Sequence, residues 1–358
     1  MRIMLLGEFS SLHKYLKDGL KENGYKDVTI ASNGDGWKNI PGADVAISKD
    51  SNRIFGKIYG KIIVPIKFAF SIKDYDIVQL INPSVFPFFL NPLLIRIIRK
   101  RNKKICLLAA GDDFAIVDAY KKGAFEYYSY DYDKNSVKDY RKKTFRGLTY
   151  IRSGEYLEKK ADMVIPTAYE YWKAYKMRRI ANLTKVIPFP INIDNVEYTP
   201  NIVQDKICFF HGLNRELTKG TQFIRPALEK LEKKYPNDVE VIIAGNMPFE
   251  EYTKVLKKAN VVVDQCCTYG YGINACVSLA MGKVVMSGCR SETLEIINER
   301  ESPIIEIRPN TDFIYKQLEL IVKNKSSICE WGFKSREYVE KNHNYKNIAR
   351  LYLEEWKK

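Results

Sequence analysis

Short aliphatic runs that are apolar at every position, not at every second one, constrain this chain more than any other feature. Ile3-Met4-Leu5-Leu6, Ile105-Cys106-Leu107-Leu108-Ala109 and Val261-Val262-Val263 are examples. A strand covered on one face alternates. A strand apolar throughout is covered on both, which calls for a parallel sheet with helices on each side. Such runs occupy 2–6, 28–31, 44–47, 77–81, 104–109 and 162–165, then 207–210, 239–243, 261–264, 284–286 and 303–307. Helical periodicity separates them, as at 12–23, 222–234, 249–258 and 311–322. Repeated βα units of this kind predict an α/β protein with two doubly wound, Rossmann-like domains. A proline-punctuated stretch, 188–200, sets the boundary. The N-terminal domain is expected over 1–190 and the C-terminal domain over 201–339, with a terminal helix at about 340–358.

Composition narrows the chemistry. The 358 residues suffice for two cores, and a hydrophobic content of 46% excludes a disordered chain. No apolar run reaches the roughly 18–20 residues of a spanning helix. Met1 to Glu8 reads as a first strand and not as a signal peptide. The seven cysteines show no paired-ligand spacing and only three histidines accompany them. A metal site or secreted disulfide framework is therefore not expected, and a cytoplasmic location fits. The adjacent Cys266-Cys267 reads as the end of a buried strand. Nucleophile-elbow, phosphate-loop and zinc-protease motifs are absent.

The net charge is +15, and residues 51–104 hold eleven Lys or Arg against two Asp or Glu. No nucleic-acid-binding motif accompanies that charge, so nucleic acid is not the expected partner. Residues 85–104 join Phe86, Phe88 and Phe89 to a basic helix. This segment is either a crossover helix with a solvated face or, in addition, a contact for an anionic membrane surface. The run Tyr127-Tyr128-Ser129-Tyr130-Asp131-Tyr132 reads as a surface turn, with sugar stacking the alternative.

Ligands of open parallel sheets lie beyond the carboxyl ends of the strands. Two loops there stand out. After the run at 207–210 come His211-Gly212-Leu213-Asn214-Arg215 and then Lys219-Gly220-Thr221. Gly212 lets backbone approach a phosphate, and Arg215 and Lys219 supply two cations. After 261–264 comes Tyr269-Gly270-Tyr271-Gly272-Ile273-Asn274, leading into an apolar helix whose first N–H groups would face an anion. Each loop also has a plain reading, as a surface loop or as a tight turn.

With these motifs in place, the chain resembles the retaining group 1 (family 4) glycosyltransferases of the GT-B fold, most like those of bacterial surface and capsular polysaccharide synthesis. The resemblance rests on Gly7-Glu8-Phe9-Ser10-Ser11-Leu12-His13, Asn33-Gly34-Asp35-Gly36-Trp37-Lys38, Ala110-Gly111-Asp112-Asp113, the crossing at 186–194, Arg215 to Thr221, Asp264-Gln265, Ala280-Met281-Gly282 and 335–343. It implies two Rossmann-like domains facing across a cleft, with the C-terminal helix returning to the N-terminal domain. It also implies a nucleotide-diphosphate sugar as co-substrate on the C-terminal domain and a saccharide or lipid-linked acceptor on the N-terminal one. It further implies that no metal or other cofactor is required. On that template Gly212, Arg215 and Lys219 hold the donor diphosphate. Gly270, Tyr271, Gly272, Asn274 and Glu295 (the last at a helix start) line the sugar and nucleotide. His13 and Asp113 are the catalytic candidates; the plain alternatives are an exposed helix-start His and, at Asp112 or Asp113, a helix cap. The family's paired glutamates are replaced by Tyr269 and Val277, and the lysine loop is one residue shorter than usual. Those departures leave an alternative, a GT-B-shaped binding or partner subunit without turnover.

Overall fold

The computed structural model describes residues 1–32, 43–49, 53–133, 144–213, 215–245 and 247–358. The Asn33-to-Lys38 motif and Asn214 lie outside these residues. The chain divides into two compact units. Met1–Ala124, Val137–Pro190 and Tyr345–Lys358 make the first; Phe125–Ser136 and Ile191–Asn344 make the second.

Each unit is built on a five-stranded sheet. In the first, β1 (Ile3–Leu6), β2 (Val28–Ala31), β3 (Ile77–Leu80), β4 (Lys104–Ala109) and β5 (Met163–Pro166) pair in parallel in the order β2-β1-β3-β4-β5. Ile3 stands opposite both Val28 and Ile77. In the second, β6 (Ile207–Gly212), β7 (Val239–Ala244), β8 (Val261–Val263), β9 (Val284–Ser287) and β10 (Ile305–Glu306) pair in the order β10-β9-β8-β6-β7. Counted from its own first strand, each sheet has the same order. The first strand lies between the second and third, so crossovers leave it in opposite directions. That reversal opens a crevice at the carboxyl ends of β1 and β3, and another at those of β6 and β8.

Nearly all the apolar runs form strands, buried in the sheet interiors and half-buried on the edge strands β7 and β10. Ile224, Leu228 and Leu231, on one stripe of helix Thr221–Lys234, cover Phe209, Val261 and Met286. The run at 44–47 is the exception. It forms no strand and makes only an isolated bridge from Val45 to Ala31. Its Asp44 instead accepts from Ile30 N at 2.7 Å and pairs with Lys17. A charged residue at a sheet edge is better solvated beside the strand than inside a new one.

Two elements went unanticipated. A helical stretch runs through Ile54–Ile58, Tyr59–Ile63 and Val64–Ser71. The tyrosine run is not a surface turn: it carries a short helix, Ser129–Tyr132, with Tyr127, Tyr128 and Tyr130 all buried in the second unit. The last helix, Tyr345–Lys357, packs on helix Leu12–Glu22, where a side chain on Gly19 would collide with Tyr345 O. Ile191 N donates to His343 O at 2.7 Å, placing side by side the two points where the chain changes unit.

Candidate functional site

The crevice of the second unit holds the richest chemistry. Lys219 ends the short helix Glu216–Lys219, and its Nζ lies 2.9 Å from Asp264 Oδ1. Asp264 follows β8 directly and is almost fully buried. Ser287 Oγ, at the end of β9, lies 3.5 Å from its other oxygen. Arg215 caps that helix in a left-handed conformation, φ 58°, and stands exposed. Beneath them His211 is sealed. Its Nδ1 lies 2.7 Å from Val263 O, which can only accept, so Nδ1 carries the proton and Nε2 accepts from Thr221 Oγ1 at 2.8 Å. Burial lowers its pKa to about 4, so the imidazole is neutral. It pins β6, β8 and helix Thr221–Lys234 under the lysine.

Gly220 is required by geometry. Its φ is +81°, and a Cβ there would lie 2.6 Å from Cys267 Sγ and closer still to Cys266 Sγ. The two cysteines are thus packing partners of the lysine loop, as the plain reading had it. Their sulfurs are 3.9 Å apart, and all seven cysteines are free.

The second loop is placed differently from expectation. Tyr271 is not turned to a ligand. It is buried, its hydroxyl 2.8 Å from Tyr338 OH and 3.0 Å from His343 Nε2. Gly270 is buried and gives its carbonyl to Thr268 Oγ1 at 2.8 Å. Gly272 is the N-cap of helix Ile273–Ala280 and has open space where a side chain would lie; Asn274, in the first turn, is exposed. Glu295 stands at the end of helix Ser291–Glu295 and not at its start. The carboxylate in the first turn is Glu292, 3.4 Å from Arg290. Gly212 closes β6, with room beside it.

Tyr269 is built into an aromatic cluster with the inserted segment. Its hydroxyl accepts from Glu126 N at 2.9 Å, and its ring centroid lies 5.6 Å from Phe125 and 5.3 Å from Tyr127. The Arg290 guanidinium sits 4.6 Å above the Tyr269 ring and pairs with Glu126 at 2.7 Å. Asp264 and Arg290 were missed as site residues. A carboxylate closing an apolar run was a legible signal for the first. Nothing local marked the second.

The first unit's crevice is lined by residues whose polar atoms are engaged by backbone groups and by buried side chains. His13 is neither an exposed helix-start residue nor open to a substrate. It is wholly buried; Nδ1 lies 2.7 Å from Gly7 O and Nε2 lies 3.2 Å from Gln79 Nε2. Burial brings its pKa to about 4. Asp113 is the N-cap of helix Phe114–Lys121, accepting from Ala115 N at 2.8 Å and from Tyr175 OH at 2.9 Å, so the cap alternative is the one realised. Burial raises its pKa to about 6. Asp112 is exposed. Glu8, overlooked as a site residue, accepts from Lys14 N at 2.8 Å and from His13 N at 3.3 Å. Burial raises its carboxyl to about 7.

Comparison with solved structures decides the architecture. The chain superposes on Anabaena HepE in complex with UDP and glucose with a TM-score of 0.64 at 14% identity, covering 99% of this chain and 98% of that one. Sucrose-phosphate synthase from Thermosynechococcus elongatus gives 0.65 at 15%, covering 100% and 98%. The fold is GT-B. The lipopolysaccharide outer core galactosyltransferase WaaB in its apo form shares it, with a TM-score of 0.55 at 12% identity over 99% of each chain. GT-B examples also include UDP-GlcNAc 2-epimerases. No protein-family model matches the chain, and no curated protein matches it in sequence.

Proposed function

We propose that this GT-B protein is a glycosyltransferase that takes a sugar from a uridine diphosphate donor held by the second unit. The observation that carries the reading is Lys219, held 2.9 Å from Asp264 in the β6/β8 crevice with Arg215 exposed beside it. Two cations at a strand-end loop suit a diphosphate leaving group. The uridine base is taken from the UDP and UDP-glucose bound by HepE. Transfer with retention needs no side-chain base, because charge develops mainly on the departing diphosphate. That agrees with the sealing of His13 and Asp113, to which the proposal gives a scaffolding role. Asp264 then sets the height of Lys219, and the open space at Gly272 admits the nucleotide.

The acceptor is a saccharide or lipid-linked saccharide of a surface polysaccharide, taken by the first unit. An anionic membrane surface is the proposed partner of that unit. Within 85–104 several cations are already engaged: Arg99 with Asp162 at 3.3 Å, Lys103 with Asp76 at 2.6 Å, and Lys104 with Trp356 O at 2.9 Å. The support therefore comes from exposed apolar side chains beside the remaining charge. Phe86 is buried and takes no part, whereas Phe89 is 42% exposed and Leu93 54%, and Phe145, 65% exposed, packs edge-on to Phe88 at 5.9 Å. Among the described residues no helix is long and apolar enough to cross a membrane. The free cysteines agree with a peripheral position on the cytoplasmic face.

A second reading, a sugar-nucleotide-binding subunit without turnover, is favoured by one observation: Tyr269, in place of the first glutamate, is spent on Glu126 N. Incubation with UDP-glucose, UDP-galactose and UDP-GlcNAc, with and without undecaprenyl-diphosphate-linked saccharide, separates the two. Acceptor-dependent UDP release supports transfer. Thermal stabilisation by UDP without any release supports the binding subunit, and neither effect overturns both.

A further inference from the structure

We propose that the second unit carries another binding site, for a phosphate-bearing anion, at the amino ends of its strands. All five strands of this sheet run parallel, so that end is opposite to the Lys219 loop, and the proposal is independent of the donor reading. A cavity of about 430 Å³ lies there, lined among others by Lys206, Cys208, Glu240, Asn260 and Lys283 from the starts of β6 to β9. This size is in the range of small-molecule sites.

Lys283 is the observation that points to an anion. It is 3% exposed, and its Nζ donates to Lys257 O at 2.8 Å, the single hydrogen bond that the described residues give it. No carboxylate among those residues pairs with it. Lys257 lies in the last turn of helix Phe249–Lys258, so the helix dipole offsets part of the charge. Two of the three N–H groups remain to be satisfied, and burying a charge without full pairing is costly. Burial also pulls the lysine below its ordinary pKa.

The surroundings are cationic. Lys206, Lys257 and Lys258 join Lys283 on the lining, against Asp205 and Glu240. Lys257 pairs with Glu197, and Lys258 with Glu240, through lysine side chains that are largely exposed. Exposed pairs contribute little, so an anion inside the cavity can draw both lysines inward. The wall is rigid. Asn260 Nδ2 donates to Asn201 Oδ1 and Asn201 Nδ2 to Asn260 O, each at 2.9 Å, while Cys208 N donates to Asn260 Oδ1 at 3.0 Å. These amides are occupied, which leaves recognition to the ammonium groups. Several point-like cations around one polar cavity suit the clustered oxygens of a phosphate better than a lone carboxylate.

Calorimetric titration of the full chain with inorganic pyrophosphate tests this. An Arg215→Ala/Lys219→Ala background removes the proposed donor contacts. Saturable binding should persist there and should weaken by at least ~10-fold when Lys283→Met is added, the loss of a charged contact. Should Lys283→Met fail to fold, Lys206→Ser/Lys258→Ser on the rim replaces it, with the same weakening expected. Absence of binding in the Arg215/Lys219 background, or unchanged affinity on loss of the cavity lysines, overturns the proposal. Titrating UDP into Lys283→Met reports on the donor reading separately, because that affinity should be unchanged.

Discussion

Lys219→Met is the substitution that separates the structural from the chemical role of the β6/β8 crevice. The lysine side chain is 13% exposed and its partner Asp264 only 3%, with 2.9 Å between the charged atoms. Removing the lysine strands a buried carboxylate whose other neighbour, Ser287 Oγ, is at the 3.5 Å limit of a hydrogen bond. Breaking a buried pair from one side costs about 3–5 kcal/mol, and the partial exposure of the lysine puts this case at the lower end, about 3 kcal/mol. Asp264→Asn should cost less, nearer 1 kcal/mol, because the freed ammonium can reach water. Lys219→Met/Asp264→Leu deletes both charges and should recover most of the loss. Turnover should behave differently. A charged contact to the leaving diphosphate is worth roughly 1.5–3 kcal/mol, or about 10- to 150-fold in kcat/KM. The double variant should regain stability and stay slow. Urea and thermal midpoints measure the first effect, compared as shifts because a two-unit chain need not unfold in one step. Acceptor-dependent UDP release measures the second. Recovery of turnover together with stability would show that Lys219 only holds the loop, and the assigned role would fall.

Other expectations follow from particular geometries. Arg215 holds φ 58° at an exposed site, so Arg215→Gly should be neutral or stabilising by up to about 1 kcal/mol while lowering turnover at least ~10-fold; a loss of both together would mean that the guanidinium is structural. Gly220→Ala should destabilise the chain by about 2–4 kcal/mol and lower its midpoint, since its Cβ would enter the Cys266 and Cys267 sulfurs at positive φ; a wild-type melting curve would contradict the loop geometry. The pH dependence has two limbs of opposite sign. His13 and His211 are held at about 4 against an ordinary 6.5, so the unfolded chain takes up protons first and stability falls from pH 6.5 towards 4, by about 3 kcal/mol per histidine. Glu8, raised from 4.5 to about 7, keeps its proton longer in the folded chain, so its contribution is present below pH 4.5 and declines as pH rises through 7. His13→Gln should flatten the acid limb and Glu8→Gln the neutral one, in melting temperatures read from pH 4 to 8. An unaltered acid limb in His13→Gln would mean that the imidazole is not held neutral.

What could be read in the sequence was what depends on neighbours along the chain. Continuous apolar runs place both sheets, and the loop after 207–210 carries its cations to the β6/β8 crevice, because a strand end and the helix after it are covalently adjacent. What could not be read depends on partners far away. Tyr271 meets Tyr338 and His343 across separations of 67 and 72 residues, and Tyr175 reaches Asp113 across 62. No local rule tells a tyrosine that faces a ligand from one that closes a buried hydrogen bond. The tyrosine run misled for the same reason. Its rings pack against residues such as Tyr269 and Phe223, more than ninety positions further on. Asp264 marks where sequence reasoning could have gone further. A carboxylate that ends an apolar run lies at the edge of a core, and it is stable there only with a cation or several donors close by. The crevice topology limits such a partner to the loops beyond β6, β8 and β9. Arg215 and Lys219 were already the cations in one of them. The pairing of Lys219 with Asp264 was thus deducible, and with it the need to delete both charges before calling either residue catalytic.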